Sequence, residues 1–183
     1  GRLRARLQDL AVQVDPARVA LLERPFAIER QLSDPGLSKL ARLSLKVRSP
    51  LFNAIMYDKG GMSRAEREIG AIGASMVNRC IFCAAVHAMR HAQLTNSTEV
   101  TDKLFHDGHA AELSGRDRAI FDFAIALSEA PPGAGADHVK ALRDAGLDEA
   151  EILDLILSTA LFGWANRLMH VLGDPTRPVN AEA

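Results

Sequence analysis

The sequence predicts an all-α protein. Apolar residues recur at three- and four-residue spacing through most of its 183 positions, the periodicity of amphipathic helices. Ser and Asp stand before these segments and Gly or Pro after them, as helix starts and stops require. Neither an Asn-Gly hairpin nor an alternating β-branched run is written anywhere in the chain, so strand signals are lacking.

Taken in order, residues 2 to 23 carry Leu3, Leu7, Leu10 and Val14, then Val19, Leu21 and Leu22. Asp15-Pro16 interrupts them, with Asp15 suited to a cap and Pro16 to a first helical position. After Pro25 and Pro35-Gly36, Leu37, Leu40, Leu43 and Leu45 predict a short helix over 37 to 47. It should end before Ser49-Pro50, because a residue preceding proline is pushed out of the α region. Leu51 to Tyr57 then supplies another turn or two before Lys59-Gly60-Gly61.

The clearest helix start is Ser63 with Glu66, a capping box. Ile69, Ile72, Gly73, Met76 and Val77 continue the apolar stripe to about residue 79. Cys80 to about Gln93 is helical and alanine-rich, and periodicity does not decide whether it continues the preceding helix or begins a new one at Asn78-Arg79. Further helices follow over about 97 to 106, 114 to 129, 137 to 145, and from the Asp148 cap to about Leu172. The expected organisation is one domain over 1–183. Residues 1–60 form an N-terminal helical extension, 61–93 a core motif, 94–173 the remaining helices and 174–183 a tail.

Composition removes several function classes. Hydrophobic residues make up 48% of the chain and charged residues 25%, ordinary for a globular domain large enough to bury a core without a disulfide or metal staple. The net charge of −1 leaves no footprint for nucleic acid, and Arg2, Arg4 and Arg6 read as a solvated helix face. Charged residues interrupt every apolar segment before the roughly 20 residues that span a bilayer. No secretory signal is written in the chain. It starts at Gly1 rather than Met, so a segment trimmed ahead of it stays compatible with this reading. A reducing, cytoplasmic compartment is expected, where two close cysteines signal redox or metal chemistry rather than a staple.

Cys80 and Cys83 are the only cysteines, and they form a CxxC followed by His87 four residues later. On a helix these three side chains share a face. One thiol of such a pair attacks as thiolate and the other resolves the product as a disulfide. A free thiol is mostly protonated at neutral pH, so a base such as His87 would activate it. Glu68, twelve residues before Cys80, would orient and stabilise that imidazole if the fold returns it there.

The run Gly61-Met-Ser-Arg-Ala-Glu-Arg-Glu68, then Ser75-Met-Val-Asn78-Arg-Cys80-Ile-Phe-Cys83-Ala-Ala-Val-His87, resembles the alkylhydroperoxidase D-like (AhpD-like) family of the carboxymuconolactone decarboxylase superfamily. That family's signature is a glutamate, eleven intervening residues, CxxC, three residues and a histidine. Every position of it is present here, and the close match covers residues 61 to 93. Phe162-Gly-Trp-Ala-Asn-Arg167 is similar to longer, peroxidase-related members. The resemblance implies a compact helical bundle that assembles into trimers, or hexamers as trimers of dimers, and reduces small organic hydroperoxides with electrons from a protein or small-molecule dithiol. It assigns Cys83 as peroxidatic, Cys80 as resolving, His87 as the base and Glu68 as the far end of a proton relay acting through a water. No cofactor or metal is implied. Phe82 departs from the best-studied branch, which has a second histidine there. Decarboxylase members generally lack the CxxC.

Other readings compete. The cysteines could be two small buried hydrophobes, a zinc pair with His87 short of a fourth ligand, or a redox sensor without turnover. His91 reads as a half-exposed helix histidine. Trp164 and Asn166 are candidates to line a neighbouring subunit's pocket, with packing the favoured role for the tryptophan. Phe52, Met56 and Tyr57 read as core residues, with an apolar entrance to the site as the alternative.

Overall fold

The computed structural model describes residues 39–172, and the expected helices over 2 to 23 and the tail lie outside this span. The all-α expectation holds: helices alternate with short connections, and no strand occurs among the described residues.

Helix α1 runs Lys39–Tyr57 as one piece with Pro50 inside it, not as two segments broken before Ser49-Pro50. A proline inside a helix costs about 3 kcal/mol. Phe52, Ile55 and Met56, all beyond it, bury against Ala71, Ala74 and Phe162. Each such side chain contributes about 1.5–3 kcal/mol on burial, so packing of the second half outweighs the local penalty.

The connection from α1 is held by Arg67, whose guanidinium donates to the carbonyls of Ile55 (2.9 Å), Asp58 (3.1 Å) and Gly60 (2.7 Å) and to Asp154 Oδ2 (2.8 Å). Asp154 also accepts from Met62 N at 3.0 Å. Gly61 sits between them at φ +62°, and a Cβ there would stand 2.2 Å from Asp154 Oδ2. Glycine is therefore required on both backbone and steric grounds.

Helix α2, Arg64–Val77, begins at Ser63 with both halves of the capping box formed: Glu66 N donates to Ser63 Oγ and Ser63 N to Glu66 Oε2. The next helices are α3 (Ile81–Thr95), α4 (Glu99–Asp107), α5 (Gly115–Ser128), α6 (Ala136–Asp144) and α7 (Glu149–Leu172). Helix α2 is the hub, packing on α3, α5 and α7. Ile69 and Ile72 enter the main core with Leu104, Ile120, Phe121 and Leu155. Gly73 lets α5 approach so closely that an added Cβ would lie 2.8 Å from the Ala124 Cβ.

Helix α7 starts as its sequence implies, Glu151 N donating to Asp148 Oδ1 and Asp148 N to Glu151 Oε2. By length and composition alone, its 22 residues Glu149–His170 could cross a membrane. In the fold it buries Ile152, Leu155, Ser158, Thr159, Phe162 and Asn166 against the bundle. Its outer face exposes Leu153, Leu157, Trp164 and Leu168, and α1 exposes Leu43, Val47 and Leu51 at four-residue spacing.

Candidate active site

Helices α2 and α3 are separate, and the break positions the dithiol. Asn78 caps α2, Arg79 turns left-handed at φ 57°, Arg79 N donates to Met76 O (3.1 Å) and Cys80 N to Ser75 O (2.9 Å). This pair of bonds is a Schellman motif, here built on arginine where glycine is usual. Cys80 is at once the last residue of that motif and the N-cap of α3, its carbonyl accepting from Ala84 N at 3.0 Å. Cys83 consequently stands in the first turn of α3, whose positive dipole end favours negative charge.

The two sulfurs lie 2.9 Å apart and are not joined as a disulfide. Both are buried, Cys80 at 4% exposure and Cys83 at 8%. One turn along α3, His87 Nδ1 meets Glu68 Oε2 at 2.5 Å. The contact is direct, which corrects the expected water-mediated relay. Packing of α2 against α3 brings the carboxylate to the ring without room for an intermediary.

Glu68 is wholly buried at 0% exposure. Arg64 Nε donates to its Oε1 at 2.6 Å while His87 takes Oε2. Burial by itself would raise the carboxyl pKa. His87 and then Arg64 outweigh it, holding Glu68 below the usual carboxylate range. Arg64 is fixed in turn by the Met56 carbonyl, at 2.7 Å from its NH1, and by the Tyr57 ring 4.1 Å from its guanidinium carbon. Arg64 had escaped the sequence reading. Its place one turn before Glu68 was the available signal, since i,i+4 charges of opposite sign pair on helices.

Phe162 of α7 closes the other side of His87, edge-on with centroids 4.0 Å apart, and meets Phe52 at 5.9 Å. Phe52 thus serves both the core and the site. A cavity of about 150 Å³ opens here, lined by Cys83, His87, Glu68, Arg64 and aromatic side chains that include Phe52, Phe82 and Phe162. Cys80 is not among its lining residues. Met56 is fully buried as expected, whereas Tyr57 lines the cavity.

Two expectations are corrected. His91 is only 4% exposed, not half-exposed, and its Nδ1 is buried without a hydrogen-bond partner among the described residues. It follows His87 by one turn, so the face that carries the relay inward carries it inward too. Burial lowers its pKa, against the opposing pull of Asp117 and Glu68. Trp164 is 45% exposed rather than packed, on the outer face of α7. Asn166 has the opposite fate: it is buried and accepts from Ser75 Oγ at 3.3 Å. No group of three or more His, Cys, Asp or Glu arranged to hold a metal occurs among the described residues.

Residues 44–99, the stretch containing the whole dithiol site, match the carboxymuconolactone decarboxylase family. No curated protein matches the sequence. Among solved structures, the fold is similar to the alkylhydroperoxidase AhpD core of a peroxidase-related protein from Ralstonia eutropha JMP134, with TM-score 0.66, 24% identity, and coverage of 82% of this chain and 85% of that one. It is also similar to a peroxidase-related protein from Silicibacter sp. TM1040, with TM-score 0.68, 22% identity, and coverage of 92% and 91%. The debrominase Bmp8 bound to 2,3,4-tribromopyrrole shares the fold too, at TM-score 0.65 and 15% identity over 90% of each chain, so this architecture serves more than one chemistry. The family match lies across the Glu68, Cys80, Cys83 and His87 constellation, and the helical bundle that holds it has the fold of the AhpD-like structures.

Proposed function

We propose that the protein reduces small organic hydroperoxides through its dithiol, with Cys83 as the attacking thiol and Cys80 as the resolving one. The observation that carries this reading is the asymmetry of the pair: Cys83 lines the cavity with His87 and Glu68, while the Cys80 sulfur waits 2.9 Å behind it, off the cavity wall. His87 takes the Cys83 proton, its imidazolium stabilised by Glu68. The thiolate attacks the terminal peroxide oxygen. An S–O bond forms, the O–O bond breaks, and the leaving alkoxide takes the proton from His87 to depart as an alcohol. Cys80 then attacks the sulfenic sulfur, forming the disulfide and releasing water. An external dithiol, itself oxidised to a disulfide, restores the pair by exchange. The cycle draws only on the dithiol and suits the reducing cytoplasm, which keeps both sulfurs as thiols between turnovers.

The apolar stripes on α1 and α7 support assembly with further copies of the chain, a trimer or a hexamer. For the chemistry, the test is consumption of cumene hydroperoxide with dithiothreitol as donor. Turnover by the wild type that disappears in Cys83→Ser is expected. A wild-type rate no greater than that of the variant overturns the peroxidase reading.

A further inference from the structure

The outer face of α7 is apolar where the bundle leaves it uncovered. Leu153, Leu157, Trp164 and Leu168 are each between 38% and 53% exposed. They form one stripe, because spacings of four and seven residues return to the same side of a helix. Ala160 is exposed on that side too. Single exposed hydrophobes are ordinary on a protein surface, whereas a contiguous row marks a contact. A tryptophan is among the residue types that most often anchor one. Helix α1 packs beside α7, with Arg48 over the Trp164 ring at 5.8 Å, and its exposed Leu43, Val47 and Leu51 add apolar surface on the neighbouring helix.

The α7 stripe is symmetric along the helix. Leu153 and Leu168 stand equally far from its midpoint, and so do Leu157 and Trp164. The midpoint falls between Leu161, which packs inward on the cluster of Phe52 and Phe162, and Ala160, whose small side chain lets another helix approach. A two-fold contact needs this arrangement, since a surface that meets itself must present matching residues at equal distances from the axis. Direction follows from the helix ends. Glu149 and Glu151 keep their bonds to Arg143 and Arg116, and Arg167 its bond to the Gly163 carbonyl, so no new ion pair is required. Antiparallel packing sets the negative end of each helix dipole beside the positive end of the other, whereas a parallel pair sets like ends together. A lipid surface fits less well. It attracts helices flanked by lysine and arginine, and the N-terminal half of α7 carries Glu149, Glu151 and Asp154 instead.

We infer that the outer face of α7 is the interface with a second copy of this chain, the two helices lying antiparallel about a two-fold axis at Ala160, with Leu157 against the partner subunit's Trp164. The inference rests on the reading of the protein as an assembly of like chains, and it names the face that makes the contact. The inner face of the same helix sets Phe162 edge-on to His87, and His170 Nε2 donates to the Asn78 carbonyl at 2.5 Å. The contact therefore backs the helix that closes the dithiol site.

The experiment uses the full chain. Light scattering gives the mass of the wild type, Leu157→Glu and Trp164→Glu at equal concentration, and circular dichroism checks that the variants keep their helices. Both side chains are exposed, so neither change opens the core. Each variant should halve the wild-type mass. In a Cys80→Ser, Cys83→Ser background, oxidation by copper(II) phenanthroline should link Ala160→Cys to itself, two thiols giving up two electrons and two protons to form one disulfide. Leu157→Cys should link to Trp164→Cys in a mixture of the two proteins and neither to itself, because a seven-residue offset puts like positions about 10 Å apart along the axis. An assembly whose mass both glutamate variants leave unchanged, or self-linking of Leu157→Cys and of Trp164→Cys, overturns the inference and leaves the assembly reading standing. A wild type monomeric at every concentration removes both, and its retention by phosphatidylglycerol vesicles would give the face to lipid instead.

Discussion

His87 Nδ1 stands 2.5 Å from Glu68 Oε2, joining α3 to α2 where both side chains are buried. Because Nδ1 is engaged by the carboxylate, Nε2 is the nitrogen left for other partners. In the proposed cycle Glu68 is therefore a positioning residue, acting on the sulfur through the imidazole.

Glu68→Gln keeps the shape and removes the charge. Without the carboxylate the imidazolium loses its stabilising partner, so the pH dependence of Cys83 alkylation by iodoacetamide should shift upward. Peroxide reduction at neutral pH should fall about 100-fold, the scale of lost acid–base assistance. An unchanged pH profile would remove Glu68 from the relay. Glu68→Ala, which leaves Arg64 and His87 facing a void, should also cost about 3 kcal/mol in urea unfolding.

Stability should decline with acid in two stages. His91 is held below its ordinary pKa by burial and Glu68 is held below its own by His87 and Arg64. In both cases the unfolded chain binds more protons, so stability rises with pH across the interval between the folded and unfolded values. The first loss begins as pH falls below about 6.5, where an unfolded histidine protonates. The second begins below about 4.3, the unfolded glutamate value, and continues as pH drops through the depressed pKa of Glu68. Denaturant midpoints measured from pH 8 to pH 3 should show both, and His91→Gln should flatten the first alone.

Trapping should separate the cysteines. After one equivalent of peroxide, Cys80→Ser should accumulate a dimedone-reactive sulfenic acid at Cys83, while Cys83→Ser should give none. Mass spectrometry of the labelled peptide checks this, and the opposite pattern would exchange the two roles.

Gly73→Ala tests the contact of α2 with α5. Alanine gains about 1 kcal/mol of helix propensity over glycine. Its Cβ, however, would fall 2.8 Å from the Ala124 Cβ, and overpacking a core costs about 1–3 kcal/mol. Since Ala124 sits on a helix and has no flexible side chain to move, the steric cost should win. The melting temperature should drop, whereas the same change at Gly115, with open space around it, should not lower it.

What the sequence determined by itself was local or periodic. The capping box at Ser63 and Glu66 formed as written because its partners are three residues apart. The stop after Ser128 and the start at Asp148 have the same character. Cys83 and His87 were legible because helical spacing places them on one face, Cys80 because it completes the CxxC, and Glu68 through the family spacing, whereas the place of Cys80 as N-cap off that face was not. Tertiary structure decided the rest. Pro50 stays inside a helix because Phe52, Ile55 and Met56 have a core to enter. The chain breaks at Arg79, against the local preference of arginine, because α3 must turn back on α2. Direct contact between Glu68 and His87, burial of His91 and exposure of Trp164 depend on which helices meet. Periodicity shows that a helix has an apolar face, but the energy of burying it belongs to the partner surface, and that surface exists only after the chain has folded.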